Sequence, residues 1–236
     1  MENSTGNSNL LIPISIVVAG LIVAGAFFIS KDDNGGEEEN NQEEEQEQQI
    51  NIKPVSEDDH ILGNPNADIV VVEFSDLECP YCKNFHETMH QIVDEFGKDG
   101  EVAWVYRHLP LTRLHSKAQR EAEATECAWA QGGNDAWWAY IDRLFEVTPS
   151  NNGLDLNQLP VIAEEVGLDV EEFEQCLEDE TYKDKVRADS DDAIASGGQG
   201  TPYNVFLIKG EDPIPVSGGL PFDQMKNLIE QTLLTF

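Results

Sequence analysis

Two cysteines separated by two residues are the part of the sequence best suited to chemistry: Cys79-Pro80-Tyr81-Cys82. They follow a β-branched apolar run at residues 69–74 and precede an amphipathic run, so they should lie where a helix begins. Unpaired backbone N–H groups at that position favour a thiolate, which lowers the pKa of Cys79. Pro80 fits the first helical turn, where its missing N–H costs no hydrogen bond. Cys82, one turn inside, should be close enough to form a disulfide with Cys79.

Three kinds of site have this spacing: a redox-active dithiol, half of a metal site and an inert disulfide. A zinc site would need more ligands, and His86 and His90 follow Cys82 at four and eight residues. On a helical wheel, however, His90 points away from the apolar face, and Cys79 lies at the other end of the helix. We therefore favour the redox dithiol, and we expect neither a metal nor an organic cofactor.

The elements that must hold this pair alternate between strands and helices along residues 52–236. Apolar runs predict strands at residues 69–74 and 102–106, with a helix at residues 84–96 between them. Helical patterns then fill residues 116–195, with breaks near Gly132-Gly133, residues 149–153 and Gly167. The remaining predicted elements are a strand at residues 203–208, a strand from Val216 and a closing helix at residues 221–234. Helices between strands favour an α/β sheet.

Two segments of different composition precede this folded part. After a short segment at residues 1–9, residues 10–29 are apolar and uncharged, and at about 1.5 Å per residue they would span a bilayer core of about 30 Å. We expect a retained transmembrane anchor. A cleaved signal peptide is the alternative, although no Lys or Arg precedes the apolar run. Residues 30–51 contain nine acids and one lysine, which predicts a disordered acidic linker.

The charge and the cysteine content exclude several classes of protein. With 46 acidic and 14 basic residues, the chain has a formal net charge of −32. Such a charge excludes a nucleic-acid binder that works by electrostatics and argues against docking on anionic lipid. Four cysteines are too few for a small disulfide framework. The acid excess fits either ordinary solubility or adaptation to high salt.

The sequence resembles the DsbA-type thiol–disulfide oxidoreductases of the thioredoxin superfamily. The resemblance rests first on residues 68–82, which contain the cysteine pair, and on the lead-in at residues 61–67. Three shorter stretches also match: Leu109-Pro110-Leu111 with His115, Glu126-Cys127-Ala128, and Gly200-Thr201-Pro202. The resemblance implies a thioredoxin-like fold with an inserted helical domain at about residues 116–195.

The resemblance also implies a role for each residue that matches the family's motif. Cys79 would be the nucleophile, and Cys82 the resolving cysteine. Pro202 would be a cis-proline facing the disulfide, and Thr201 before it would offer backbone groups to an extended substrate. Glu73, which points opposite its strand neighbours, would be a buried acid beneath the cysteines with a pKa raised by desolvation.

Tyr81 departs from the family pattern, because the best-known oxidases of the family have His between the cysteines. Tyrosine brings no positive charge to the thiolate, although its phenol can donate a hydrogen bond. The sequence therefore does not determine how strongly oxidising the Cys79–Cys82 pair is, because its reduction potential depends on how well the reduced form is stabilised.

The two remaining cysteines, Cys127 and Cys176, lie in the helical block. Several members of the resembled family join cysteines at corresponding places, so we expect a structural disulfide, with two buried thiols as the alternative. Closing a loop of about 50 residues would stabilise the fold by about 4 kcal/mol.

Together these features predict an anchored enzyme that introduces or exchanges disulfides in secreted proteins, on the extracytoplasmic side of a prokaryotic plasma membrane. Its partners would be extended or unfolded substrates with paired cysteines and a redox partner that resets the dithiol. Lys31 beyond the span weakly favours the opposite topology, but one lysine beside nine acids is a faint signal. The alternatives are a reductase or isomerase, and a non-catalytic binding scaffold with the thioredoxin fold.

Overall fold

The computed structural model describes residues 50–234. In that range the chain forms, in order, β1 (His60–Gly63), β2 (Ile69–Ser75), α1 (Pro80–Phe96), β3 (Val102–His108), α2 (Ala118–Val147), α3 (Gln158–Glu165), α4 (Val170–Glu178), α5 (Lys183–Ala195), β4 (Tyr203–Ile208), β5 (Ile214–Ser217) and α6 (Phe222–Leu233). This alternation confirms the predicted mixed α/β class.

The predicted N-terminal features fall outside the described part of the chain. The anchor at residues 10–29 and residues 30–49 of the predicted linker are not among the described residues. Between residues 50 and 234, no helix combines the length and the apolar character needed to cross a membrane.

The five strands form one sheet in the order β1-β3-β2-β4-β5. β2 pairs in parallel with β3, whereas the other three pairs are antiparallel. Every residue of β2 and β3 is buried, because each strand has a neighbour on both sides and the sheet is covered on both faces. The nearly uninterrupted apolar sequence of β2 suits a strand of this kind. Since α1 follows β2, the helix begins at one end of the central strand.

Alternate residues of the central strand point into two separate cores. Ile69 and Val71 pack with side chains of α1, α6 and the helical block. Val70 and Val72 pack on the opposite face, beside α5. Glu73 has the parity of Ile69 and Val71, so its carboxyl group lies on the face that α1 covers.

The helices α2 to α5 form the block predicted at residues 116–195. α2 consists of two helical segments that meet at Gly133, whose non-helical φ of 64° and ψ of −151° form a kink where a break is predicted. Gly167, with φ of 85°, lies between α3 and α4, where a break is predicted. A further break, between α4 and α5, is not predicted because it contains neither Gly nor Pro. There Glu180 adopts a φ of 49°.

Several elements differ in extent from the sequence expectations. β1 is not predicted at all, because four residues are too few to show a strand pattern. α1 begins at Pro80, as the position of the cysteine pair predicts, and therefore extends one turn before the apolar pattern that begins at Asn84. β5 begins at Ile214, two residues before the predicted Val216. β5 accommodates Pro215 because it is an edge strand, where a residue without a backbone N–H need not donate a hydrogen bond to a further strand.

Candidate active site

Cys79 occupies the N-cap of α1, at the end of the loop that leaves the central strand β2. Its backbone is extended, with φ of −80° and ψ of 121°, and Pro80 takes the first helical position. Proline there loses no hydrogen bond, because first-turn N–H groups have no acceptor inside the helix. The Cys79 thiol donates to the backbone oxygen of Thr201, with an S–O distance of 3.6 Å. Cys82 lies one turn further along and is completely buried.

The two thiols have pKa values that move in opposite directions. A hydrogen bond from the Cys82 thiol is the largest influence on Cys79, and it lowers the pKa of Cys79 to about 6 against the opposing effect of burial. Backbone N–H groups of Cys82 and Tyr81 in the first turn of α1 add to the lowering. Burial, followed by the same hydrogen bond, raises the pKa of Cys82 well above its usual value. At neutral pH, Cys79 is therefore a thiolate and Cys82 a thiol.

Glu73 lies beneath this pair and is inaccessible to solvent. Desolvation raises the pKa of its carboxyl group to about 8, although a hydrogen bond from Trp104 opposes the shift. The negative charge of Glu73 is one of the influences that raise the pKa of Cys82, so the two groups interact electrostatically. A group with a pKa near the working pH is suited to giving and accepting protons.

The segment opposite the cysteines contains a cis peptide bond between Thr201 and Pro202. The loop it belongs to leads directly into β4, and the backbone N–H of Gly218 donates to the Pro202 oxygen at 2.9 Å. Pro202 and Thr201 line a cavity of about 480 Å³ at this end of the sheet. Tyr81, between the cysteines, is 71% exposed, which leaves its phenol facing solvent. All seven residues predicted for the redox site therefore lie on three neighbouring segments: Glu73, Cys79, Pro80, Tyr81, Cys82, Thr201 and Pro202.

Three buried acids next to the site are missing from the predicted set. Asp76 accepts hydrogen bonds from the backbone N–H groups of Glu78 at 2.8 Å and Leu111 at 2.7 Å, and it contacts the His115 ring at 2.9 Å. Burial, and then the neighbouring Glu78 carboxyl group, raise the pKa of Glu121 to about 9. Because Asp76 and Glu78 lie within three residues of Cys79, the sequence alone could have identified them as candidate site residues. Glu121 lies far away in the sequence, and no sequence pattern predicts that it is their neighbour.

The two histidines weighed as partners of the cysteines lie in a different cluster. His86 and His90 converge with Asp142 of α2. Among residues 50–234, two groups of three side chains could hold a metal ion, and neither group includes a cysteine. The cysteine pair and the histidine pair are therefore separate features of α1.

The other two cysteines are bonded to each other. Cys127 of α2 and Cys176 of α4 form a disulfide with a Cα–Cα distance of 5.9 Å, across a sequence separation of 49 residues. Cys79 and Cys82 are free thiols. The structural bond thus holds two helices of the block together and leaves the Cys79–Cys82 pair available for exchange.

A thioredoxin family model matches residues 55–231, which contain all of these groups. The chain belongs to the thioredoxin family. Among curated relatives, the Na(+)/H(+) antiporter NhaA 3 of Salinispora tropica is 35% identical over 158 residues, which are 66% of this chain and 22% of that protein. The chain therefore spans about a fifth of the length of that relative.

Two solved structures resemble the chain over most of their own lengths. DsbA2 of Pseudomonas aeruginosa is 28% identical with a TM-score of 0.61, covering 73% of this chain and 93% of that one. Oxidised BdbD of Bacillus subtilis is 25% identical with a TM-score of 0.65, covering 78% of this chain and 98% of that one. These likenesses confirm the predicted thioredoxin-like fold with a helical insertion. In fold, this thioredoxin-family chain is similar to DsbA2 and BdbD.

Proposed function

We propose that this chain is a thiol–disulfide oxidoreductase and works as an oxidase that transfers the Cys79–Cys82 disulfide to paired thiols of secreted proteins. The observation that carries the proposal is the separation of the two thiol pKa values, about 6 for Cys79 and well above the usual value for Cys82. A stabilised Cys79 thiolate stabilises the reduced enzyme, and an enzyme that is more stable reduced is a strong oxidant.

In the first step, a substrate thiolate attacks the sulfur of Cys79. The Cys79–Cys82 bond breaks, a mixed disulfide forms on Cys79, and the electron pair leaves with the Cys82 sulfur. Because Cys82 is buried, its thiolate must be protonated at once. The Glu73 carboxyl group, with a pKa of about 8, is the neighbouring acid that we propose as the donor.

In the second step, the other substrate thiolate attacks the substrate sulfur of the mixed disulfide. Cys79 leaves as a thiolate, and the substrate departs with a new disulfide. A thiol of low pKa leaves faster, so the lowered pKa of Cys79 favours release of oxidised substrate. Glu73 recovers its proton from solvent before the next cycle.

The substrate segment would be extended and would lie along Thr201. The cavity of about 480 Å³ beside Pro202 gives room for a side chain of that segment. Since an extended chain pairs through backbone groups, many sequences would be accepted, as suits substrates that are still unfolded. A separate redox partner would reoxidise Cys79 and Cys82 after each cycle.

The enzyme would act outside the cytosol, since disulfides persist in oxidising compartments. The apolar run at residues 10–29 would anchor it, and residues 30–51 would act as a tether. An N-terminal sequence of the natural membrane-bound protein that includes residues 10–29 is the expected result. A natural N-terminus after residue 26 would instead identify a cleaved signal.

The equilibrium reduction potential of the Cys79–Cys82 pair against glutathione tests the direction of the reaction. We expect a value well above the approximately −270 mV of thioredoxin. The reduced enzyme should also be more stable than the oxidised enzyme. Because the folded pKa of Cys79 is lowered, that advantage should be full at alkaline pH and be lost as the pH falls through about 6. A potential near −270 mV with a more stable oxidised form would identify a reductase.

A further inference from the structure

His86 and His90 of α1 and Asp142 of α2 form a cluster in the wall of a second cavity, of about 500 Å³. The redox chemistry proposed for Cys79 and Cys82 uses none of the three. We propose that they bind one divalent transition-metal ion of the Zn²⁺ class, with a coordination position left open towards the cavity.

The separations between the candidate ligand atoms already approach those of a tetrahedral site. The Nε2 atoms of His86 and His90 are 3.2 Å apart, and each lies close to Oδ1 of Asp142, at 2.7 Å and 2.9 Å respectively. Tetrahedral coordination with bonds of about 2.0–2.1 Å would place ligand atoms about 3.3 Å apart. Side-chain movements of a few tenths of an ångström would therefore admit the ion.

Helix α1 places two of the candidate ligands next to each other. His86 and His90 are four residues apart in α1, so their rings project from the same side of the helix. The His86 ring is packed against Trp104, with centroids 5.1 Å apart, and against Phe145, at 4.6 Å. Asp142 comes from α2, so an ion would join α1 to the helical block.

In the absence of an ion, both histidine rings contact the same carboxylate oxygen. Oδ1 of Asp142 is the partner of Nε2 in both His86 and His90. The two Nε2 atoms are also within hydrogen-bond distance of each other, at 3.2 Å, so three candidate ligand atoms converge on one point. An ion at that point would be bound by all three atoms at once.

The types of ligand select the class of ion. Two imidazole nitrogens with one carboxylate oxygen suit Zn²⁺, Ni²⁺ and Cu²⁺, whereas Ca²⁺ and Mg²⁺ need oxygen ligands. Glu87 and Glu146 also line the cavity and add negative charge. The ammonium group of Lys83, which could repel a cation, is held by the backbone oxygen of Thr148 at 2.7 Å.

An ion can reach this cluster from solvent. The side chains of His90 and Asp142 are 34% and 44% exposed, while His86 is 6% exposed. The other candidate group, His60 with His108 and Glu126, is completely enclosed. In that second group, Nε2 of His60 and Nε2 of His108 lie 2.6 Å and 2.9 Å from one oxygen of Glu126, and solvent does not reach them.

Titration calorimetry of the oxidised full chain with Zn²⁺ tests the proposal. Oxidation closes the Cys79–Cys82 disulfide, so these sulfurs cannot bind the ion, and excess Mg²⁺ occupies acidic surfaces. We expect one tightly bound Zn²⁺. The variants His90→Gln and Asp142→Asn should each bind it at least about tenfold more weakly, since even the loss of a residue that only supports a ligand costs that much.

Glu87→Gln is the matched control, because it removes one negative charge from the same cavity without removing a ligand. Its affinity should stay within about twofold, since Glu87 is exposed and acts through screened charge. A wild-type chain that binds no Zn²⁺ in excess Mg²⁺ would overturn the proposal. So would Zn²⁺ retained in His90→Gln, or an equal loss in Glu87→Gln and Asp142→Asn.

Discussion

The indole Nε1 of Trp104 donates a hydrogen bond of 3.0 Å to Oε2 of Glu73, and both side chains are completely buried. Trp104 lies on β3, two residues before Tyr106, which is level with Glu73 across the parallel β2–β3 pair. Within residues 50–234, the second oxygen, Oε1, has no hydrogen-bond partner. One donor does not compensate for the loss of water around a carboxylate, so the pKa of Glu73 rises to about 8.

Glu73 should therefore make the reduced protein less stable as the pH rises. Its pKa goes from 4.5 to about 8 on folding, so its contribution to stability is full below pH 4.5 and is lost as the pH rises through 8. Because Gln cannot titrate, the stability of Glu73→Gln relative to the wild type should rise by about 5 kcal/mol between those two pH limits. Denaturant unfolding at several pH values measures this difference, and the exposed Glu174→Gln is the control. A constant difference would contradict the raised pKa.

The same substitution should slow the step that protonates the Cys82 leaving group. We expect Glu73→Gln to reduce the rate of exchange with a model dithiol while moving the alkylation midpoint of Cys79 only slightly. The reason is that Glu73 acts on Cys79 only through its charge, whereas it would supply the proton that Cys82 needs. Stopped-flow exchange kinetics, measured beside the alkylation profile, separate the two effects. An unchanged rate would remove Glu73 from the mechanism.

Alkylation of the reduced protein should show one thiol of strongly lowered pKa. The rate for Cys79 should have its midpoint near pH 6, the value produced by the hydrogen bond from Cys82 and the first-turn N–H groups. Cys82→Ser should keep part of the shift, because a hydroxyl group can also donate. Iodoacetamide modification followed by mass spectrometry locates the reacting sulfur. A midpoint near 8.5, the unperturbed value, would mean that the start of α1 does not activate Cys79.

The two cysteines should behave differently when either one is replaced. Cys82→Ser leaves the Cys79 thiolate able to attack a substrate disulfide but removes the group that resolves the product, so a mixed disulfide should accumulate on Cys79. Cys79→Ser should trap nothing, since Cys82 is buried and its pKa is raised. Non-reducing gels of both variants with a disulfide-containing peptide give the comparison. Equal trapping by the two variants would contradict the assigned roles.

The Cys127–Cys176 disulfide should support the fold without taking part in exchange. Replacing both residues with Ala releases a loop of 49 residues and should cost about 4 kcal/mol of stability, less any strain relieved. The reduction potential of the Cys79–Cys82 pair should stay the same. Unfolding curves and the glutathione equilibrium measure the two effects. A changed potential would mean that the helical block influences the redox pair.

Tyr81→His should make the enzyme more oxidising. Tyr81 is exposed between the cysteines, and a protonated imidazole there would add positive charge beside the Cys79 thiolate. We expect a lower pKa for Cys79 and a higher reduction potential. Tyr81→Phe is the control, because it removes the phenol oxygen without adding charge. Equal reduction potentials in the two variants would show that a positive charge at position 81 does not stabilise the Cys79 thiolate.

The local sequence determines the part of the site formed by β2 and the first turn of α1. The apolar run of β2 specifies a buried strand, Pro80 is compatible with the first turn of a helix, and the two-residue spacing keeps Cys79 and Cys82 within one turn. The strand's alternation also places Glu73 on the face opposite Val72, so its burial follows once the covered face is known. These are relations between residues close in sequence, and a periodic pattern is enough to state them.

Tertiary structure decides which distant groups reach these residues. Thr201 lies 122 positions from Cys79, and Glu121 becomes a neighbour of Glu78 only because α2 packs beside the loop after β2. Asp142 joins His90 across 52 positions in the same way. Such contacts depend on how helices pack on the sheet, and no short-range periodicity in the sequence encodes that packing. The chemistry that needs two segments is therefore decided by the fold, whereas the cysteine pair itself is visible in the sequence.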